Sequence, residues 1–145
     1  MKKKTLIMLL ASILCIALLP AVAHAATPDV WDGSTASSLT GGGKSEDDPY
    51  LISTGAELKL LADNSRAAGL GTRYVKLTND IVLNDGTFDK SGAFTKRGAT
   101  TTSQPNEWTP MGEASWHIDG NGHSISGMYI KCNEEKVGLI SQIEN

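Results

Sequence analysis

Cysteine is almost absent: the chain holds Cys15 and Cys132 and no other. Aromatics are sparse at 6% and prolines number 5. Beyond residue 19 there is no long apolar run. Each shortage excludes something. Cys15 falls inside an N-terminal segment read below as cleaved, which leaves Cys132 alone, and one cysteine makes no internal disulfide. Packing must therefore hold the fold, in a compartment that would permit disulfides. Cys132 reads as a small apolar residue with no base beside it to make a reactive thiol. Without a later apolar run, no span of about 20 residues remains to cross a bilayer. Nor is there a nucleophile elbow or a Ser/His/Asp pattern for acyl chemistry.

What is present begins at the N-terminus. Lys2, Lys3 and Lys4 precede a mostly apolar, uncharged run from Leu6 to Leu19. Pro20 follows, and Ala23-His24-Ala25 puts small residues where a signal peptidase reads. That order predicts a signal peptide over 1–25, cleaved after Ala25, and a secreted or cell-surface mature chain. Bulky Leu14 before Cys15 does not suit a lipid-attachment site. Losing Lys2, Lys3 and Lys4 takes the formal charge from −3 to −6. An acidic surface argues against nucleic acid as a partner and against anionic lipid. The remaining length suits one domain.

Residues 26–48 read as a flexible leader or linker, rich in Ser, Thr and Gly, with Trp31 as its one large aromatic. The ordered domain is expected over 49–145. Pro49-Tyr50-Leu51-Ile52 opens it as a short strand. Thr54 and Glu57 make a capping box, and Leu58, Leu61 and Ala62 share a helical face, so a helix is expected over 54–68 with Gly69 as its C-terminal cap. Val75, Leu77, Ile81 and Leu83 then alternate as one face of extended structure. Residues 86–107 are polar, with little periodicity, and predict an exposed excursion. Trp108, Pro110 and Met111 mark the return to the core. Trp116-His117-Ile118, residues 123–130 and residues 137–143 follow as short strands around Asp119-Gly120-Asn121-Gly122 and Asn133-Glu134-Glu135 turns.

Several clusters bear on chemistry. Gly41-Gly42-Gly43-Lys44-Ser45 has the tail of a phosphate loop, but Ser38 stands where its first glycine belongs and no strand precedes it, so a linker is the better reading. Asp119-Gly120-Asn121 looks like the start of a calcium loop. Ile130 occupies the twelfth position where a bidentate acid should close it, and a turn with Gly120 and Gly122 at positive φ explains the residues as well. His117, Asp119 and His123 have metal-ligand chemistry but not a helical i, i+4 spacing. Asp119 with Asp80 or Glu113 would supply paired carboxylates only if the fold brought them close. Trp108 and Trp116 are the candidate glycan-contacting rings, with core or rim packing as the plainer alternative. No catalytic residue, metal ligand or cofactor is assigned.

Taken together, Glu46-Asp47-Asp48-Pro49-Tyr50-Leu51-Ile52, the Ala56-Glu57-Leu58…Leu61-Ala62 helix, Leu77-Thr78-Asn79-Asp80-Ile81, Trp108-Thr109-Pro110-Met111-Gly112, Ile118-Asp119-Gly120-Asn121-Gly122-His123 and Val137-Gly138-Leu139-Ile140 resemble bacterial exported surface proteins that carry the GLUG repeat. The resemblance runs from Gly41 to Asn145. It implies a mainly β fold, in which an N-terminal capping helix is followed by the first coils of a right-handed parallel β-helix. It implies an adhesin-like or structural role without catalysis, or else the scaffold of a carbohydrate-binding or polysaccharide-degrading protein. The partners it implies are extracellular glycans or host and cell-surface proteins. Ile140 departs from the family, which usually has Phe there. The chain stops at Ile143-Glu144-Asn145 without an evident cap, which predicts a first piece to be continued by further coils.

Overall fold

The computed structural model describes residues 29–66, 71–112, 114–131 and 137–141. Its elements run β1 (Tyr50–Ile52), α1 (Gly55–Asn64), β2 (Thr72–Leu77), β3 (Ile81–Val82), β4 (Gly86–Phe88), β5 (Phe94–Lys96), β6 (Ser115–Asp119) and β7 (Ile125–Ser126).

The helix begins where local chemistry fixes it. Thr54 is extended, and its hydroxyl accepts the Glu57 N–H at 3.2 Å. The Glu57 carboxylate reaches back to accept the N–H groups of Thr54 (3.1 Å) and Ser53 (2.8 Å). These bonds satisfy donors that a helix start leaves free. The buried face is Gly55, Leu58, Leu61 and Ala62. Gly55 is required sterically, because a Cβ there would lie 2.4 Å from the Trp31 Cβ. The helix ends at Ser65, whose N–H bonds the Leu61 carbonyl at 3.0 Å, so it is shorter than the 54–68 expected. Gly69 lies outside the described residues.

The strands form three small sheets. β1, β2 and β6 form a parallel sheet in the order β1-β2-β6, with Tyr50 opposite Val75 and Val75 opposite Ile118. β3 and β7 pair in parallel, with Ile81 opposite Ile125. β4 and β5 form an antiparallel hairpin, with Phe88 opposite Phe94. Ile52, Leu58, Val75, Leu77, Ile81, Leu83, Trp108 and Met111 are buried in one apolar cluster, and Trp31 packs edge-on against Trp108 at 6.2 Å. The alternation read over 75–83 thus buries all four of its apolar residues.

The expected right-handed parallel β-helix is overturned. Among the described residues the sheets stop at two or three strands, with one short helix and no stacked solenoid. Two physical causes are visible. β3 and β7 hold two residues each, and Val30 adds only a single parallel bridge beside Val82, so this ladder stays narrow. The 86–107 excursion also closes on itself rather than joining a parallel stack: Phe88 and Phe94 pack at 5.0 Å, and the Asp89 carboxylate accepts the Ser91 and Ala93 N–H groups at 2.8 and 3.0 Å. A short loop of this kind costs little closure entropy, so local antiparallel pairing wins there.

Residues 29–48 take part in the fold rather than hanging free as a linker. Val30 bridges Val82, Thr40 bridges Leu51, and Trp31 is buried with its indole N–H on the Ser34 carbonyl at 2.7 Å. The excursion is pinned at its return by Asn84. Its Oδ1 accepts the Asn106 N–H at 2.7 Å, and its Nδ2 donates to the Asn106 and Gly127 carbonyls, both at 2.9 Å. Of the expected last strand, 137–141 is described, with Ile140 bridging Met111 in parallel.

Candidate functional site

The side-chain alternation of the three-stranded sheet sorts its residues into two faces. Tyr50, Ile52, Val75 and Leu77 point to the core, and register puts Arg73 opposite Trp116 on that same face. Ile52, Val75 and Leu77 are covered by α1 and its neighbours. Toward the start of β2 the cover ends, and a groove of about 280 Å³ opens between sheet and helix. Tyr50, Arg73 and Trp116 line it from the strands; Leu61, Asn64 and Ser65 line it from the helical side.

The groove has an ordered floor and an amphipathic wall. The Ser65 hydroxyl donates to the Ala62 carbonyl and accepts the Gly112 N–H, each at 2.6 Å, which fixes the helix end against the segment before β6. Trp116 donates its indole N–H to the Gly112 carbonyl at 3.2 Å. With that donor engaged, Trp116 offers a ring face. Arg73 donates one N–H to the Thr72 carbonyl at 3.0 Å. A guanidinium carries five donors, so Arg73 retains capacity for a ligand oxygen.

The opposite face of the same sheet carries Tyr74, Lys76, His117 and Asp119. The rings of Tyr74 and His117 stack with centroids 4.6 Å apart, and Lys76 pairs with Asp119 at 3.4 Å. Glu46 and Pro49 complete a depression of about 380 Å³, larger than the groove on the other face.

The two candidate glycan-contacting tryptophans, for which core or rim packing was the plainer alternative, have different fates. Trp108 is 1% exposed, donates its indole N–H toward the Leu139 carbonyl at 3.4 Å, and presents no face to solvent. Trp116 is half-buried on the groove wall. The groove's other polar and aromatic members, Tyr50, Asn64 and Arg73, went unread in the sequence. A signal for two of them existed: Tyr50 stands two residues before buried Ile52, and Arg73 two before buried Val75, so each shares its partner's face.

The remaining clusters are engaged locally. Asp80 accepts the Ser124 N–H at 2.8 Å and the Ser124 hydroxyl at 3.1 Å, and His123 approaches it at 3.8 Å. Those Ser124 bonds, helped by His123, hold its carboxyl below the usual aspartate range. Asp119 accepts the Asn121 N–H at 2.8 Å, and this bond, with Lys76, holds its carboxyl low as well. His117 stacks on Tyr74 while His123 faces Asp80, and among the described residues no group of three His, Cys, Asp or Glu side chains is placed to hold a metal ion. Glu113 and Cys132 lie outside the described residues. In the Asp119-Gly120-Asn121 turn the positive φ angles fall on Asn121 (47°) and Gly122 (78°), not on Gly120. In the glycine run, the Asp48 carboxylate accepts the Gly42 N–H at 2.9 Å and Tyr50 fills the space beside Gly43, so an acid sits where a phosphate loop would present free N–H groups. No helix among the described residues is long and apolar enough to cross a membrane.

Compared with protein-family models, curated proteins and solved structures, the chain matches none.

Proposed function

We propose that this is an exported bacterial protein of the cell surface or the surrounding medium, adhesin-like or structural, acting by contact rather than by catalysis. The observation that carries the reading is the N-terminal order of Lys2-Lys3-Lys4, the apolar run to Leu19 and Ala23-His24-Ala25. The acidic balance of the remaining chain and its resemblance to GLUG-repeat surface proteins support the same setting. The clusters that would have suggested chemistry are engaged in turns and strand pairs: Asp80 by Ser124, Asp119 by Asn121 and Lys76. The test is to express the full-length gene in a bacterium and follow the chain. A mature product that begins at Ala26 outside the cytoplasm is expected; an uncleaved cytoplasmic chain would overturn the proposal.

A second reading, carbohydrate contact, is favoured by one observation. The Trp116 groove combines two aromatic rings, a guanidinium and the Asn64 amide around about 280 Å³. That volume lies at the small end of ligand clefts, and aromatic faces with a few polar groups suit a sugar ring. Glycan arrays with the mature chain, repeated with Trp116→Ala, decide it: binding lost in the variant supports a glycan site, and no binding by the parent chain removes it.

A further inference from the structure

We propose that Asn121 is a site of spontaneous deamidation, and that the folded turn restrains the reaction. Asn121 is the one asparagine in the chain followed by glycine; Asn64, Asn79, Asn84, Asn106 and Asn133 all precede residues with a side chain. Cyclisation needs the next backbone nitrogen to reach the asparagine Cγ. Glycine puts no Cβ in the way and leaves the backbone free to rotate. Asn121 and Gly122 are both exposed to water, and among the described residues the Gly122 N–H has no hydrogen-bond acceptor.

The chemistry needs only the chain and water. The Gly122 backbone nitrogen gives up its proton and attacks Cγ of Asn121. The new N–Cγ bond forms, the Cγ–Nδ2 bond breaks, and Nδ2 leaves with the proton as ammonia. Water then opens the cyclic imide at either carbonyl, giving aspartate or isoaspartate. No oxidant, reductant or cofactor takes part.

The fold opposes this by pinning Asn121 at three points. Its backbone N–H donates to Asp119 Oδ1 at 2.8 Å. Its Nδ2 donates to the Leu77 carbonyl, on β2, at 3.1 Å. The turn itself is closed by the His123 N–H on the Gly120 carbonyl at 2.7 Å, with Asn121 and Gly122 both in the left-handed region. Swinging Cγ onto the Gly122 nitrogen breaks the Leu77 bond and changes the turn, so reaction proceeds through local opening. The product does not restore the native contacts. A carboxylate at position 121 has no donor for the Leu77 carbonyl and sits beside the Asp119 carboxylate. Isoaspartate also lengthens the backbone between β6 and β7, the outer members of two parallel pairings.

The test uses the mature chain, incubated at mildly alkaline pH with and without denaturant and followed by peptide mapping with mass spectrometry. Asn121 is expected to convert to a mixture of aspartate and isoaspartate in denaturant. In the folded protein the conversion should be slower by about tenfold or more, the factor set by an opening cost of about 1.4 kcal/mol. Gly122→Ala should slow the denatured-state reaction. That arm is read in the denatured chain and does not depend on folding, since an alanine at the left-handed φ of Gly122 (78°) strains the folded turn even in open space. Asp119→Ala removes one of the three pins and should speed conversion of the folded protein. No conversion at Asn121 in denaturant would overturn the site; equal rates folded and unfolded, or a folded rate indifferent to Asp119→Ala, would overturn the restraint.

Discussion

The parallel strands around α1 and the β4–β5 hairpin are both made of short strands, and they are held in different ways. Around α1, Ile52, Leu58, Leu83, Trp108 and Met111 come from widely separated parts of the chain and are essentially inaccessible to solvent. In the hairpin, Phe94 is buried but its cross-strand partner Phe88 remains 48% exposed, stacked between Phe94 and Tyr129. The first region exists only when long-range contacts assemble together. The second is closed mainly by neighbours in sequence, Asp89 on its own turn and Arg97 back onto Asp85 at 2.7 Å, with the Phe88–Tyr129 stack as its long-range contact. Stability is therefore expected to concentrate in the first, while the second is free to vary or open locally.

The largest test of that contrast is one type of truncation made in both places. Trp108→Ala should cost about 3–5 kcal/mol, enough to unfold most of a marginal domain, as measured by urea denaturation. Phe94→Ala should cost less, because the hairpin collapses onto exposed Phe88 and leaves a smaller cavity. Equal costs would break the comparison. Next in size is the junction between the regions. Asn84→Ala leaves the Asn106 N–H and the Gly127 carbonyl without their partner, at about 1–3 kcal/mol in the same assay.

Acid sensitivity sharpens the contrast further. Asp80 joins β3 to the segment before β7 through Ser124, and its carboxyl is held below its ordinary value of 3.8. A carboxyl depressed by folding stabilises the native state fully at pH above the unfolded value. That contribution fades as pH falls through 3.8 toward the lower folded value. Asp80→Asn should lower stability slightly at neutral pH and flatten the stability–pH profile in that acidic window, so that parent and variant converge as the pH falls. Smallest of all, Arg97→Ala in the hairpin should change global stability by at most about 0.5 kcal/mol, since the Arg97 side chain is 82% exposed and such pairs contribute little.

The same contrast explains what the sequence could reveal. The helix start was legible because Thr54 and Glu57 act within one turn, and the face of Val75, Leu77, Ile81 and Leu83 because alternation repeats over enough residues to be seen. The hairpin was not legible: three-residue strands between Gly86 and Lys96 carry too short a period, and Phe88 and Phe94 declare themselves only once paired. The parallel β-helix was inferred from motifs shared at the level of short segments, and such motifs specify turns and strand starts without specifying how many strands stack. The Asn121 amide reaches the Leu77 carbonyl, a contact that no local spacing announces and that needs β2 and β6 already in register. The groove was half visible, through Trp116. Trp108 looked equivalent in sequence and proved to be core, because ring exposure depends on which segments cover it.

All of this bears on a molecule proposed to work outside the cytoplasm, so the most direct measurement is the identity of the N-terminus of the chain recovered from a bacterium expressing the full-length gene. Mass spectrometry of a secreted or surface-bound product beginning Ala26-Thr27-Pro28 is the expected result. A cytoplasmic chain still carrying Lys2, Lys3 and Lys4 would contradict it.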